Sequence, residues 1–297
     1  MKIFLQVVNK FKISLISFGI FLIIGLIVWG FRNIMYLYLF VGIGFLDSAT
    51  RILIQYFPKA RQFVRLSLQF TIGFFLLVWL GLIIGVNFQF PEIFFDTYAG
   101  IITGALIQLI VARLILPFFL GNGFCSRACW TGFFFEMTNP IVRDKRKIIH
   151  RSNYIAWSYL IGLVCLSFFV AFIWDPATNI EMRKWWIIGE NLFIASIGFI
   201  LTFFIGSRAY CRMLCPFMTI SGLISPYSLF KITPINFSKC TNCRLCNKNC
   251  PMLIKVETYV NNNKRINDPT CILCERCISA CTEGVLKLTT KNELAIK

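Results

Sequence analysis

Six nearly uncharged apolar runs, at about 13–31, 34–57, 66–86, 98–120, 154–174 and 185–206, constrain this 297-residue chain more than any other feature. Crossing a hydrocarbon core of roughly 30 Å takes about 20 helical residues, and each run is long enough. The second carries Asp47 and Arg51 and is counted as a span in spite of them. Lys2, Lys10 and Lys12 ahead of the first run imitate a signal peptide, but no small-residue cleavage site follows. The run therefore reads as a retained anchor helix. Composition agrees: 57% of residues are hydrophobic and 14% charged, against roughly 25% charged in soluble domains. The 32 phenylalanines exclude intrinsic disorder. Cysteines gathered late in the chain argue against a secreted disulfide scaffold.

The formal charge of +17 would suggest nucleic acid in a soluble protein. Sorted by loop, it has another origin. Arg32, Arg183 and Lys184 fall on the outer side, Arg51 and Arg113 lie within spans, and every other basic residue lies on the inner side. This is positive-inside bias, which places both termini in the cytoplasm and makes a nucleic-acid partner unnecessary. The expected location is the bacterial cytoplasmic (inner) membrane. Hydrophobicity falls after about residue 228. The expected organisation is an N-terminal helix pair (1–65), a four-helix membrane domain (66–227) and a small domain (228–297) at the membrane surface.

That last part holds the most specific motif. Cys240-x2-Cys243-x2-Cys246-x3-Cys250-Pro251 is followed by Cys271-x2-Cys274-x2-Cys277-x3-Cys281, with Thr282 in place of a second proline. The doubled C-x2-C-x2-C-x3-C run is that of two-cluster bacterial ferredoxins. Three thiolates at this spacing wrap one face of a cubane while the fourth reaches its neighbour. The expected sets are therefore Cys240, Cys243, Cys246 and Cys281 for one [4Fe-4S] cluster, and Cys271, Cys274, Cys277 and Cys250 for the other. Zinc is the weaker alternative, since its sites seldom use three close ligands and a remote fourth. The fold class follows: a polytopic α-helical membrane protein with a C-terminal 2[4Fe-4S] ferredoxin-like α+β domain. Basic residues outnumber acidic ones in that domain, which suits an acidic carrier such as a soluble ferredoxin or flavodoxin. Attraction to anionic lipid explains the same charge equally well.

A second set, Cys125-x3-Cys129 and Cys211-x3-Cys215-Pro216, follows the fourth and sixth runs. Spacing i, i+4 puts two thiols on one helix face. The flanks echo each other, Gly121-Asn122-Gly123-Phe124 against Ser207-Arg208-Ala209-Tyr210, which implies an internal repeat with facing halves. Four such thiols would hold a further iron–sulfur cluster or another thiophilic metal; redox-active dithiols and plain structural cysteines are the alternatives. Arg127, Arg208 and Arg212 are expected to lower the thiol pKa values. Cys165 reads as packing. His150 is the only histidine, so bis-histidine haem ligation within this chain is excluded, and it reads as a surface residue. Asp47, Arg51, Arg113 and Glu190 are intramembrane ionisable groups, read as a relay or quinone contact. For the two arginines, snorkelling to the interface stands beside that reading.

On these residues, from about 66 to 297, the chain resembles the membrane iron–sulfur family that includes NapH-type quinol dehydrogenase components, the C-terminal half of NosR, and CcoG. Members share paired C-x3-C-P motifs followed by a two-cluster ferredoxin domain; here Trp130 replaces the first proline and Asn122 an arginine. The resemblance implies electron transfer at the cytoplasmic face, linked to quinol or to a copper- or molybdenum-enzyme pathway. The leading expectation is an electron-transfer component of an oxidoreductase complex. It would pass electrons between a quinone/quinol or cytosolic carrier and a membrane partner, and no catalytic residue is assigned. The alternative is an assembly factor that reduces a metal or disulfide for a respiratory metalloenzyme. A third, structural reading treats the clusters as staples.

Overall fold

The computed structural model describes residues 2–31, 33–86, 88–100, 104–137, 152–174 and 180–290. Among them, six helices are long and apolar enough to cross a membrane: Phe11–Phe31, Ile34–Tyr56, Pro58–Ile83, Gly104–Arg127, Ser152–Ile173 and Lys184–Ile205. The protein is a polytopic helical membrane protein with a C-terminal ferredoxin domain. His150 and the basic segment around it lie outside the described residues, as do Lys291 and Lys297.

Helices α1 (Lys2–Phe31) and α2 (Ile34–Tyr56) form an antiparallel hairpin. The Asn33 side chain opens α2 by accepting from the Met35 N–H at 3.3 Å. Two glycines let the pair approach closely. A Cβ on Gly44 would lie 2.6 Å from Phe21 Cβ, and one on Gly25 would lie 3.2 Å from Phe40 Cβ. Small residues do this in membranes because association there depends on close van der Waals contact.

The third span differs from the sequence reading. It begins at Pro58, runs through α3 (Arg61–Phe74) and ends in a wide π-helical segment, Phe75–Ile83. The boundary drawn at 65/66 therefore falls inside α3. An arginine is tolerated here because Arg65, 1% exposed, is paired with Glu136. The fourth span is also displaced. It starts at Gly104 instead of about 98, and ahead of it lies a separate helix, α4 (Phe90–Tyr98), with Pro91 in its first turn. Three aromatic contacts hold α4 within the bundle: Phe90 against Phe217, Phe94 against Phe168 and Phe95 against Trp186, with ring centroids 5.5, 5.1 and 5.2 Å apart.

The fourth span itself is broken into α5 (Gly104–Gln108), a π-helical stretch (Leu109–Ile115), α6 (Leu116–Leu120) and α7 (Phe124–Arg127). Gly121 makes the break after α6 with φ +52°, a backbone state that suits glycine. Next come α8 (Trp130–Met137), α9 (Ser152–Trp174), α10 (Ile180–Ile205), α11 (Ala209–Met213) and α12 (Pro216–Ser221).

The ferredoxin domain pairs β1 (Lys231–Pro234) antiparallel with β2 (Leu286–Thr289), in register from Lys231 opposite Thr289 to Pro234 opposite Leu286. Between them lie α13 (Leu245–Lys248), α14 (Val256–Asn261) and α15 (Arg276–Ala280). Its core packs Phe230, Ile232, Val256 and Val285 around Cys250, Cys274 and Cys277. The domain is hydrogen-bonded to the bundle through its backbone: Leu229 N–H donates to Phe118 O and Phe230 N–H to Phe119 O, both at 2.8 Å. These carbonyls belong to the last turn of α6, where helix geometry leaves C=O groups to be met from outside the helix.

Gly44→Ala should force α1 away from α2 and cost about 1–3 kcal/mol, the usual penalty of overpacking. A lowered thermal midpoint of the purified protein would register this; an unchanged midpoint would mean that the close approach is unimportant.

Candidate metal centres

Each ferredoxin motif follows the same backbone course. Asn242 and Arg244 in the first, and Leu273 and Glu275 in the second, have φ between 51° and 59° at matching positions. Arg244 and Glu275 then cap α13 and α15. Alternation of left- and right-handed residues turns successive N–H groups inward and makes an anion-binding concavity, a form common at iron–sulfur sites. Cys240, Cys243, Cys246 and Cys281 line one cavity. Cys250, Cys271, Cys274 and Cys277 lie within electrostatic reach of one another. Burial pushes the Cys250 thiol up to about 12 and raises Cys271 and Cys277 as well. Without metal these thiols are neutral, and ligation would displace their protons.

The four membrane-domain cysteines also converge. Cys125, Cys129 and Cys215 are all within electrostatic reach of Cys211. Their geometry corrects one expectation, because neither pair lies on one continuous helix face. Helix α7 ends at Arg127 and α11 at Met213, so Cys129 and Cys215 sit in the following turns. Both turns close identically. Ala128 and Cys129 donate to Phe124 O, and Leu214 and Cys215 donate to Tyr210 O. Pro216 then starts α12, whereas Trp130 starts α8 and is pinned by Nε1–H donation to Asn191 Oδ1 at 2.9 Å.

A second correction concerns charge. Burial raises the Cys211 thiol well above its ordinary value although Arg208 pulls it down, and it pushes Cys215 up to about 12. Desolvation outweighs the arginines in the protonated state. Arg127 does not serve the thiols at all. It bridges Asp47 Oδ1 at 2.8 Å and Glu275 Oε1 at 2.9 Å, while Arg51 and Ser17 hold the other Asp47 oxygen at 2.7 Å. Besides Arg208, the cation at the thiols is Arg113, which is buried and pairs with no carboxylate among the described ion pairs. It donates from Nη1 to Cys125 Sγ at 3.2 Å and lies over the Phe124 and Phe217 rings at 4.3 and 4.6 Å.

This donor set fits a thiolate-ligated cluster. A buried guanidinium without a counter-ion costs several kcal/mol, and ionised thiolates would supply one. Among the described residues no three His, Cys, Asp or Glu side chains close on a single ion.

The three cysteine sets lie in series. Cys277 is within electrostatic reach of Cys246 in the next ferredoxin set, and Arg208 is within reach of both Cys274 and Cys211. Glu136, unremarked in the sequence reading, fixes this order. It binds Arg65 of α3, Arg208 Nη2 at 2.5 Å and Arg276 Nη2 at 2.8 Å. Burial pushes its carboxyl up, but Arg208, Arg65 and Arg276 together hold it down at about 2. Around it, Arg208 Nη1 donates to Cys125 O, and Gln69 Nε2 to Cys125 O and Cys129 O. Gln62 Nε2 donates to Cys274 O at 3.2 Å. Cys165 is exposed on α9, away from these sets, where a buried packing role was expected.

Comparison with known proteins agrees with the geometry. A family model described as 4Fe-4S dicluster domain matches residues 233–282, and one described as 4Fe-4S binding domain matches 102–149 and 188–233, the two segments carrying the C-x3-C pairs. An uncharacterized protein of Methanocaldococcus jannaschii is 30% identical over 203 residues, covering 64% of this chain and 74% of the relative. The chain belongs to the NapH-type family of membrane iron–sulfur proteins. The ferredoxin-type protein NapH of Haemophilus influenzae is 32% identical over 35% of this chain and 37% of its own length. The methylamine utilization ferredoxin-type protein MauN of Paracoccus denitrificans is 28% identical over 48% and 54%. No solved structure matches.

For this NapH-type chain, Glu136→Ala should strand Arg65 and Arg208 without a counter-ion and cost about 3–5 kcal/mol. Thermal unfolding should show that loss, whereas removing the exposed Arg244–Glu257 pair should cost under about 1 kcal/mol.

Proposed function

We propose that the chain is a membrane-bound electron-transfer subunit whose three cysteine sets hold three [4Fe-4S] clusters in series. They would link a quinone/quinol or cytosolic carrier to a membrane redox partner. When bound, such clusters supply one-electron carriers with potentials tuned by hydrogen bonds and nearby charge. Cys240, Cys243, Cys246 and Cys281 would hold one, and Cys271, Cys274, Cys277 and Cys250 the second. Cys125, Cys129, Cys211 and Cys215 would hold the third. The observation that carries this reading is the adjacency of the sets, with Arg208 within electrostatic reach of both Cys274 and Cys211. Arg113 supports a thiolate-ligated third site, because among the described residues it donates to Cys125 Sγ and forms no ion pair with a carboxylate.

The reading assigns tasks to other residues as well. The excess of basic groups on the ferredoxin domain suits an acidic carrier. Both termini would face the cytoplasm, since Arg32, Arg183 and Lys184 are the only basic residues assigned to outer loops. The relatives named NapH and MauN favour membership of a membrane redox complex.

Protein purified anaerobically should contain about 12 iron atoms and as much acid-labile sulfide. Joint replacement of Cys125, Cys129, Cys211 and Cys215 by serine should leave about eight. Zinc in place of iron, or no change on replacement, would reject the third site. A reporter joined after Lys297 should be active only in its cytoplasmic form; activity outside the cytoplasm would overturn the orientation.

A further inference from the structure

The two ferredoxin loops share a shape but not their surroundings. Thr241, Asn242, Cys243, Arg244 and Leu245 stand at the positions that Ile272, Leu273, Cys274, Glu275 and Arg276 take in the second motif. Asn242 and Leu273 have φ of 54° and 51°, and Arg244 and Glu275 have φ of 58° and 59°. The second loop is closed against the bundle, with Ile272, Leu273, Cys274 and Glu275 all buried. Leu273 packs on Gly121, where a Cβ would stand 3.3 Å from its Cδ1. Gln62 donates to Cys274 O at 3.2 Å, and Glu275 meets Arg127 at 2.9 Å and Arg61 at 3.5 Å.

The first loop has no such cover. Residues 241–245 are exposed throughout, Cys243 included. Among the described residues, the cavity its cysteines line is walled by the ferredoxin domain alone. Phe237 and Leu245, on either side of Cys243, are 49% and 37% exposed, and Lys239 and Lys248 are exposed beside them. Two acids border the same cavity. Glu257 meets Arg244 at 2.9 Å, and Glu283 accepts from the Thr282 hydroxyl at 3.3 Å. The Arg244 side chain is 71% exposed, and an ion pair so open to water is weak enough to be shared with another carboxylate.

The docked loop is a template for the uncovered one, with the charge reversed. Glu275 finds arginines on the bundle, and Arg244, at the same place, offers a guanidinium to carboxylates. We propose that residues 241–245, flanked by Lys239 and Lys248, are the docking surface for a soluble, acidic one-electron carrier protein received over Cys243. This rests on the reading that Cys240, Cys243, Cys246 and Cys281 hold a redox centre. Phe237 and Leu245 supply apolar contact, while the three cations orient the partner. In the docked pair one electron crosses between the partner's redox group and the centre beside Cys243. One side is oxidised by one electron, the other is reduced by one, and no bond is made or broken. A protein suits this place better than anionic lipid, because no described bundle residue borders the cavity.

The test uses the full chain, loaded anaerobically in phosphatidylcholine nanodiscs, with an acidic flavodoxin as the probe. The wild type should bind the flavodoxin, and Arg244→Glu and Lys239→Glu should each weaken binding about tenfold with iron content unchanged. Glutamate fits the backbone at 244, since Glu275 holds the matching conformation. Lys264→Glu makes the same charge change at an exposed site beside Arg265, which donates to Leu229 O where the domain meets the bundle. It should alter binding less than about twofold, because separated surface charges are screened. Equal weakening in all three variants, or none in Arg244→Glu and Lys239→Glu, would overturn the surface. Weakened binding of those two variants to phosphatidylglycerol vesicles, with flavodoxin binding unchanged, would assign the loop to lipid instead. A wild type whose clusters reduce at an electrode but which ignores the flavodoxin would overturn the surface and leave the electron-transfer reading intact. A wild type with no reducible cluster would remove both.

Discussion

One carboxylate with three guanidinium partners decides how this molecule is put together. Glu136 collects Arg65 from the third span, Arg208 from the turn before α11 and Arg276 from the ferredoxin domain. Arg65 and Arg208 would be prohibitively placed alone, because both are fully buried. Because the partners come from distant parts of the chain, their meeting fixes three bodies at once. The same arginines then hold the motif loops: Arg65 donates to Ser126 O and Arg208 to Cys125 O. A second knot around Asp47 and Glu275 repeats the design with Arg51, Arg61 and Arg127. Two anchors suppress rotation of the ferredoxin domain on the bundle, which a single anchor would allow.

Buried cations and thiols share one electrostatic logic. In the protonated state the thiols are neutral, so Arg113 is under-compensated and the site favours ligands that arrive with negative charge. Binding a cluster would replace four protons with a dianionic assembly and relieve the arginine, coupling metal loading to the local stability of α6 to α8.

The fold class and both cysteine frameworks were legible because their signals are local. Run length announces a span, and x2 spacing announces a cubane motif, without reference to distant residues. The two C-x3-C loops were legible as a repeat for the same reason. Their geometry was not, since the bonds from Cys129 to Phe124 and from Cys215 to Tyr210 go with helices that end two residues short of the cysteines that periodicity would include. Glu136 was invisible because its partners are far away in sequence, more than 70 residues in every case. Helix α4 was missed for a different reason. The apolar window that began at 98 passed over FPEIFFDTY, whose two acids interrupt an apolar run.

The pairing of Leu229 and Phe230 with the carbonyls of Phe118 and Phe119 bears on biogenesis. Those acceptors exist only once the fourth span has been inserted and bent at Gly121. Synthesis runs from the N-terminus, so the residues of the docking platform are made before the first ferredoxin cysteine. A chain whose fourth span failed to insert would present its cysteines without the two carbonyls that seat the domain.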